Sequence, residues 1–270
     1  MTVPDSRPRL AASSYLNSAP LIWSFLHGSM RDSVTLTDPV PAKCADLLAH
    51  GEVDVALVPV IEYQRIADIK LIGNVCVGSK RQVRSVVLVT RTDDLNRVRS
   101  VALDESSRTS ATLVRIIFQE FVGSKPEWLT AVPDLDRMLA ANDAALIIGD
   151  PGMTFSRHGY HVWDLATLWH QHTGLGFVFA MWMIRDEGQP AARELDFAKA
   201  RDEGVKALAE IVSQYEKPLS LSQESMLHYL TENISFAPDE EMMAGLQLYY
   251  ELARKHGLID EIKPLRYAGG

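Results

Sequence analysis

The sequence predicts an α/β protein of two lobes with a helical C-terminal segment, and three observations predict it. Short β-type apolar runs alternate with amphipathic helical ones over the first 150 residues. No linker, internal repeat or low-complexity tract divides the chain. After residue 184 the pattern becomes helical throughout. A chain of 270 residues, 47% of them hydrophobic, is long enough to bury a core without metal or disulfide staples.

Residues 9–12 form a short strand, and Ala19-Pro20 opens a helix that runs to Leu26 and stops at Gly28. Residues 34–37 are the next strand. Pro41 opens a helix over 42–50 with Gly51 just past its end, the proline-first, glycine-last order expected of a crossover helix. Residues 53–58, apolar apart from Asp54, suit a strand covered on both faces. Further strands at 82–90, 101–103, 128–132 and 144–148 alternate with helices at 107–122 and 135–141, and 177–184 is the last strand. Helices follow at 195–215, 223–231 and 239–256, separated at Pro218 and Pro238 and ended at Gly257. Without a linker, two lobes must be joined by strands that pass directly between them, and residues 87–91 and 177–185 are the candidates. One lobe then holds residues 1–90 and 178–270, the other 91–177. The cleft between them lies off the carboxyl ends of the strands, where open sheets take ligands.

Charge and composition narrow the function. The 27 Lys and Arg against 35 Asp and Glu give a net charge of −8, and no long basic run is present, which argues against nucleic acid as a partner. The longest apolar stretch, 177–184, is far short of the roughly 20 residues that span a bilayer, so no membrane partner is expected. Residues 1–9 lack the apolar core of a secretory signal, which predicts a cytoplasmic protein. Two cysteines, Cys44 and Cys76, exclude a disulfide framework and read as small buried hydrophobes. His158, His161, His170 and His172 cluster without a carboxylate or thiolate at a ligand spacing, so no metal is expected. The usual signatures of nucleotide binding, Rossmann redox chemistry, α/β-hydrolases and zincins are absent, and no cofactor is expected.

What remains is a set of small polar loops at strand ends. In 13–20, Asn17 and serines such as Ser14 offer donors at a helix start; the plainer reading is Ser18 as a cap before Pro20. In 104–110, Ser106, Ser107, Arg108, Thr109 and Ser110 gather four hydroxyls and a guanidinium at a helix N-terminus, where free N–H groups and the macrodipole favour an anion. Capping by Ser107 with Arg108 solvated weighs about equally, although one cap needs one hydroxyl. The basic stretch 78–84 reads as solvated, whereas Ser85 begins an apolar run along the cleft floor. Gly174 and Gly176 permit close backbone approach to a ligand, a plain turn being the commoner use of such glycines.

Four segments together resemble the chorismate dehydratases of the futalosine route to menaquinone. They are Ser14-Tyr15-Leu16-Asn17-Ser18-Ala19-Pro20, the stretch from Gly51 to Tyr63, the stretch from Asp104 to Ser110, and Ile148-Gly149-Asp150 with Thr173-Gly174-Leu175-Gly176-Phe177-Val178-Phe179-Ala180. They occur in order between residues 9 and 185. The resemblance implies a type II periplasmic-binding-protein-like fold used as a cytoplasmic enzyme, a carbon–oxygen lyase that removes water from chorismate to give 3-[(1-carboxyvinyl)oxy]benzoate. It implies that Asn17 and Ser85 contact the substrate and act in catalysis, and that Ser107, Arg108 and Thr109 take a carboxylate. The expectation for Arg108→Ala is then a 10- to 100-fold weaker grip, from about 1.5 to 3 kcal/mol for one charge-assisted bond. One departure is visible: the family usually has proline after Thr-Gly-Leu, and this chain has Gly176, which loosens the loop but removes no donor. The matched loops offer no obvious general base apart from acidic residues such as Glu62 or Asp150, so the expectation is that the substrate's own enolpyruvyl carboxylate takes the proton while Asn17 and Ser85 hold it in a reactive pose. Two other readings stay open, a non-catalytic carboxylate-binding protein and the sister 1,4-dihydroxy-6-naphthoate synthase, whose first loop this chain does not match.

Overall fold

The computed structural model describes residues 6–188 and 190–268. Of the stretch 1–9 read for a secretory signal, residues 1–5 lie outside the described part.

Among the described residues, ten strands make two five-stranded sheets of the same build. In the first, β1 (Arg9–Ala11), β2 (Thr35–Thr37) and β3 (Val55–Pro59) run parallel in the order β2-β1-β3, and β10 (Phe177–Arg185) runs antiparallel between β3 and β4 (Ile69–Ser79). In the second, β6 (Ser100–Asp104), β7 (Glu127–Ala131) and β8 (Ala144–Ile148) are parallel in the order β7-β6-β8. There β5 (Val86–Thr90) runs antiparallel between β8 and β9 (His161–Asp164). Strands β3, β5 and β8 are buried at every position, which is why they read as unbroken apolar runs.

The helices that carry the crossovers are α1 (Ala19–Leu26), α2 (Pro41–Ala49), α3 (Arg108–Ile116) and α4 (Leu135–Ala141), followed by the short α5 (Gly149–Thr154) and α6 (Leu165–Thr173). After β10 come α7 (Pro190–Arg193), α8 (Phe197–Lys206), α9 (Leu208–Leu219), α10 (Gln223–His228) and α11 (Glu240–Lys255). Several expected helices are divided. The run 107–122 leaves α geometry at Ile117 and ends as a π turn, Ile117–Val122. The run 195–215 breaks at Ala207, and Pro218 lies inside α9 rather than ending it. The run 223–231 also finishes as a π turn, Tyr229–Asn233.

The crossings differ from the expectation. Val86–Thr90 is paired on both sides within the second sheet, by β8 and β9, and Phe177–Arg185 is paired on both sides within the first. Neither strand passes between sheets. A buried apolar strand must satisfy every backbone N–H and C=O, and straddling two sheets would orphan half of them. The chain crosses instead through two short segments, the polar 80–85 and Gly174-Leu175-Gly176. The first is held by Asp164, whose carboxylate accepts the N–H groups of Val83 and Arg84.

Five elements were not expected: β4, α5, β9, α6 and α7. Strand β4 carries Gly73 and a left-handed Asn74 in mid-run, and its pairing with β10 shifts register twice, so its alternation is broken. The helical last segment is not an appendage. A Cβ on Gly204 of α8 would stand 1.9 Å from the Pro20 carbonyl oxygen of α1, and one on Gly245 of α11 would stand 2.0 Å from that of Gly176. Helix α8 thus presses on the backbone of α1, and α11 on that of the second crossing. Cys44 and Cys76 are buried and unpaired, and burial pushes the Cys44 thiol up to about 12.

Candidate functional site

A cleft with about 570 Å³ of atom-free space opens between the two sheets, bounded by the loops that follow β1, β6 and β8. Its polar wall is Ser13, Asn17, Ser106, Ser107, Thr109 and Ser110, and its apolar wall includes Leu57, Val77, Val86 and Phe179. Among the described residues that line it there is no Lys, Arg, His, Asp or Glu.

The N-terminus of α3 forms one side. Ser107 occupies the cap position but makes no side-chain capping bond, so the capping expectation is not met. The backbone N–H groups of Arg108, Thr109 and Ser110 find no protein acceptor among the described residues. Helix α1 is similar: the Ser18 hydroxyl does not cap it but turns back to donate to the carbonyl oxygens of Ser13 and Tyr15, at 2.6 and 3.1 Å. Away from the cleft, α4, α6, α8 and α11 all receive side-chain caps from aspartates. The α3 end therefore presents donors and partial positive charge to the cleft without a fixed cation.

The sequence-predicted residues fall into two groups. Asn17, Ser106, Ser107 and Thr109 line the cleft together. The Ser106 hydroxyl also donates to Asp104 at 2.6 Å, and Thr109 Oγ1 accepts the Ile61 N–H at 3.3 Å. The others are held elsewhere. Arg108 turns out of the cleft, its guanidinium reaching Asp46 at 2.5 Å and Glu62 at 2.9 Å. Those two carboxylates, distant in sequence, outcompete the cleft for the cation. Ser14 is taken by Asp38, to which its hydroxyl donates at 2.5 Å. Gly176 does not line the cleft; a Cβ there would meet the Met242 side chain at 2.7 Å, so its close approach is to α11 rather than to a ligand. Ser85 is fully buried next to the lining residue Val86 and accepts a hydrogen bond from Tyr229 at 2.7 Å.

The two acidic candidates are also placed. Glu62 is buried and ion-paired with Arg65 at 2.8 Å as well as with Arg108, which leaves it no path to the cleft. Asp150 sits at the start of α5, where burial pushes its carboxyl up to about 6 against the opposing effect of the Leu16 N–H. Of the four histidines, His170 contacts Arg81 and His172 stacks on Phe121, and no group of three or more potential ligands gathers anywhere among the described residues. No helix among them is long and apolar enough to cross a membrane.

Sequence reasoning passed over Tyr15, Gly149 and Tyr229. Tyr15 lines the cleft, its phenol raised above its ordinary range chiefly by burial. Gly149, at φ +66°, makes room for that ring: a Cβ would lie 2.6 Å from it. A tyrosine beside Asn17 was a visible signal; nothing local marked Tyr229.

Two matched sheets joined by two short crossings over a donor-lined cleft define a protein of the periplasmic-binding-protein-like fold. Solved structures agree on the fold. A protein from Archaeoglobus fulgidus superposes with a TM-score of 0.71 at 16% identity, covering 95% of this chain and 100% of its own. The periplasmic aliphatic sulphonate binding protein SsuA of Escherichia coli gives 0.62 at 15% identity, with 98% and 94% covered. A Candida albicans gene product described as having the generic periplasmic binding protein structural fold gives 0.62 at 12%, with 95% and 92% covered. Residues 8–255 match the menaquinone biosynthesis family, and the chain belongs to that family. It is 30% identical over 262 residues to the chorismate dehydratase of Thermus thermophilus, a likeness covering 90% of this chain and 93% of the relative.

Proposed function

We propose that the chain is a chorismate dehydratase, a hydro-lyase acting in the cytoplasm on the futalosine route. The substrate is a dianion at neutral pH. In the reaction the C–H bond at the ring carbon bearing the enolpyruvyl ether breaks, its electron pair enters the ring, and the neighbouring C–OH bond breaks with loss of water. The product, 3-[(1-carboxyvinyl)oxy]benzoate, is aromatic, which drives the elimination. Being redox-neutral, the chemistry requires no redox cofactor.

The observation that carries the reading is the uncapped α3 N-terminus, where three free N–H groups and the hydroxyls of Ser107, Thr109 and Ser110 meet at the cleft wall. Such a donor set suits a carboxylate. A cleft lined by no carboxylate or imidazole also favours a substrate that supplies its own base, with the enolpyruvyl carboxylate accepting the proton and Asn17 holding the reactive pose. Asn17→Ala is expected to lower kcat by about 100- to 1,000-fold, the usual effect of losing one oriented donor.

The test is incubation of purified protein with chorismate, followed by chromatography of the product. Appearance of 3-[(1-carboxyvinyl)oxy]benzoate supports the reading. Binding without conversion would replace it with a carboxylate-binding protein, and turnover of a cyclic futalosine derivative instead would make the chain the sister synthase.

A further inference from the structure

Asp104, the last residue of β6, is buried and is no part of the cleft lining, and its carboxylate is turned on Ser106, two residues further on. Asp104 Oδ1 accepts both the Ser106 N–H, at 2.8 Å, and the Ser106 hydroxyl, at 2.6 Å. The Ser106 carbonyl oxygen accepts the Ala42 N–H at 3.1 Å. Both backbone groups of Ser106 are therefore committed, and the residue itself, 4% exposed, lines the cleft.

Hydrogen-bond counting fixes what Ser106 has left to offer. A serine hydroxyl has one proton and two lone pairs, and a carboxylate oxygen that already accepts an N–H accepts from the hydroxyl as well. The Ser106 proton goes to Asp104, so towards the cleft its oxygen can only accept. Thr109 is the opposite case: its Oγ1 already accepts the Ile61 N–H at 3.3 Å, which leaves its proton to give. The Ser18 hydroxyl is spent on the Ser13 carbonyl oxygen at 2.6 Å, but that acceptor is neutral, whereas a carboxylate leaves Ser106 Oγ the more electron-rich of the two. Beside donors gathered for a carboxylate, Ser106 is a fixed acceptor, and a ligand must bring a proton to meet it.

The chorismate dianion carries one such donor, the hydroxyl that is lost, and the product carries none. We propose that Ser106, its proton committed to Asp104, accepts the hydrogen bond of that hydroxyl and so distinguishes substrate from product. The assignment of the hydroxyl rests on the chorismate dehydratase reading. The two carboxylates and the ether oxygen are common to both molecules and cannot make the distinction. As the C–O bond breaks, the departing oxygen gains negative charge and its O–H becomes a weaker donor, so the contact belongs to the ground state more than to the transition state. It acts on binding and not on rate.

Ser106→Ala removes the acceptor. Assayed on chorismate, it should raise KM about 5- to 10-fold with kcat within about twofold, while the inhibition constant of 3-[(1-carboxyvinyl)oxy]benzoate stays within about twofold of the wild-type value. A KM and an inhibition constant that rise together would mean that Ser106 holds a carboxylate, present in both molecules, and would overturn the proposal; so would an unchanged KM or a fall in kcat. Should Ser106→Ala not fold, Ser106→Cys keeps a weak donor for Asp104 but is a poor acceptor, and should show the same split, an unchanged KM again overturning the proposal. A second measurement needs no turnover. The analogue of chorismate with hydrogen in place of the hydroxyl should bind the wild type and Ser106→Ala within about twofold of each other by calorimetry, and weaker binding to the variant would refute the assignment. If the wild type converts no chorismate, the reading of function falls and the hydroxyl assigned here falls with it; conversion by the wild type together with any of the contrary results removes the role of Ser106 alone.

Discussion

The Asp150 carboxylate, at the end of a strand in the second sheet, accepts the backbone N–H of Leu16 at 2.9 Å, joining residues 134 positions apart. Leu16 lies in the loop that carries Asn17, so this one bond ties a site loop of the first sheet to the second. Burying that carboxylate is costly, because desolvation raises the Asp150 pKa to about 6 against the opposing effect of the Leu16 N–H. An acid whose folded pKa is raised holds its proton more tightly folded than unfolded. Its contribution to stability is most favourable below about pH 4, declines as the pH rises through 6, and is constant above that, as a standing cost on the order of 3 kcal/mol. Asp150→Asn keeps an oxygen for Leu16 and removes the charge. The variant should melt higher than the wild type at pH 8 and within a degree or two of it near pH 4; melting curves that coincide at both pH values would contradict the assignment.

Arg108 bonds to Asp46 and Glu62 rather than to the cleft. Arg108→Ala should therefore leave KM for chorismate within about twofold and lower stability by about 1 to 3 kcal/mol, because the buried Glu62 keeps only Arg65. A 10- to 100-fold rise in KM without loss of stability would instead mean that Arg108 swings to the substrate when it binds.

Ser107→Asp would place a strong cap on an N-terminus that has none. The helix should gain about 1 kcal/mol, while the new carboxylate takes the free N–H groups and repels an anion, raising KM at least about tenfold. Thermal melting and steady-state kinetics on one sample read both effects, and their opposite signs separate a ligand-binding helix end from a structural one.

Gly245→Ala would drive a methyl against the Gly176 carbonyl oxygen, which also accepts the Trp169 indole N–H at 3.1 Å. A loss of about 1 to 3 kcal/mol is expected. Gly123→Ala meets nothing within 4 Å and serves as the comparison, its cost coming only from the left-handed φ of +77°. Chemical denaturation of the two variants tests whether the seating of α11 on the second crossing is as tight as the distances indicate.

Much of the architecture was written locally. The boundaries of α1 are those marked by Ala19-Pro20 and Leu26, and α4 matches 135–141, because proline, acidic caps and terminal glycines act on the few residues around them. Helix α6 was equally legible, with Asp164 as its cap and Gly174 at its end, and was passed over among the histidines. The loop 104–110 announced itself as a cluster of donors for the same local reason.

By itself the sequence determined the alternation of strands and helices, the family, and which loops carry polar groups at strand ends. Tertiary structure alone decided which of those groups face the cleft. Arg108 was drawn away by carboxylates 46 and 62 residues distant, Gly176 was claimed by α11, and Ser85 acquired a partner 144 residues on. A donor's type is fixed by its own covalent structure, but its direction is fixed by whichever acceptor the folded chain brings nearest, and no local pattern records that.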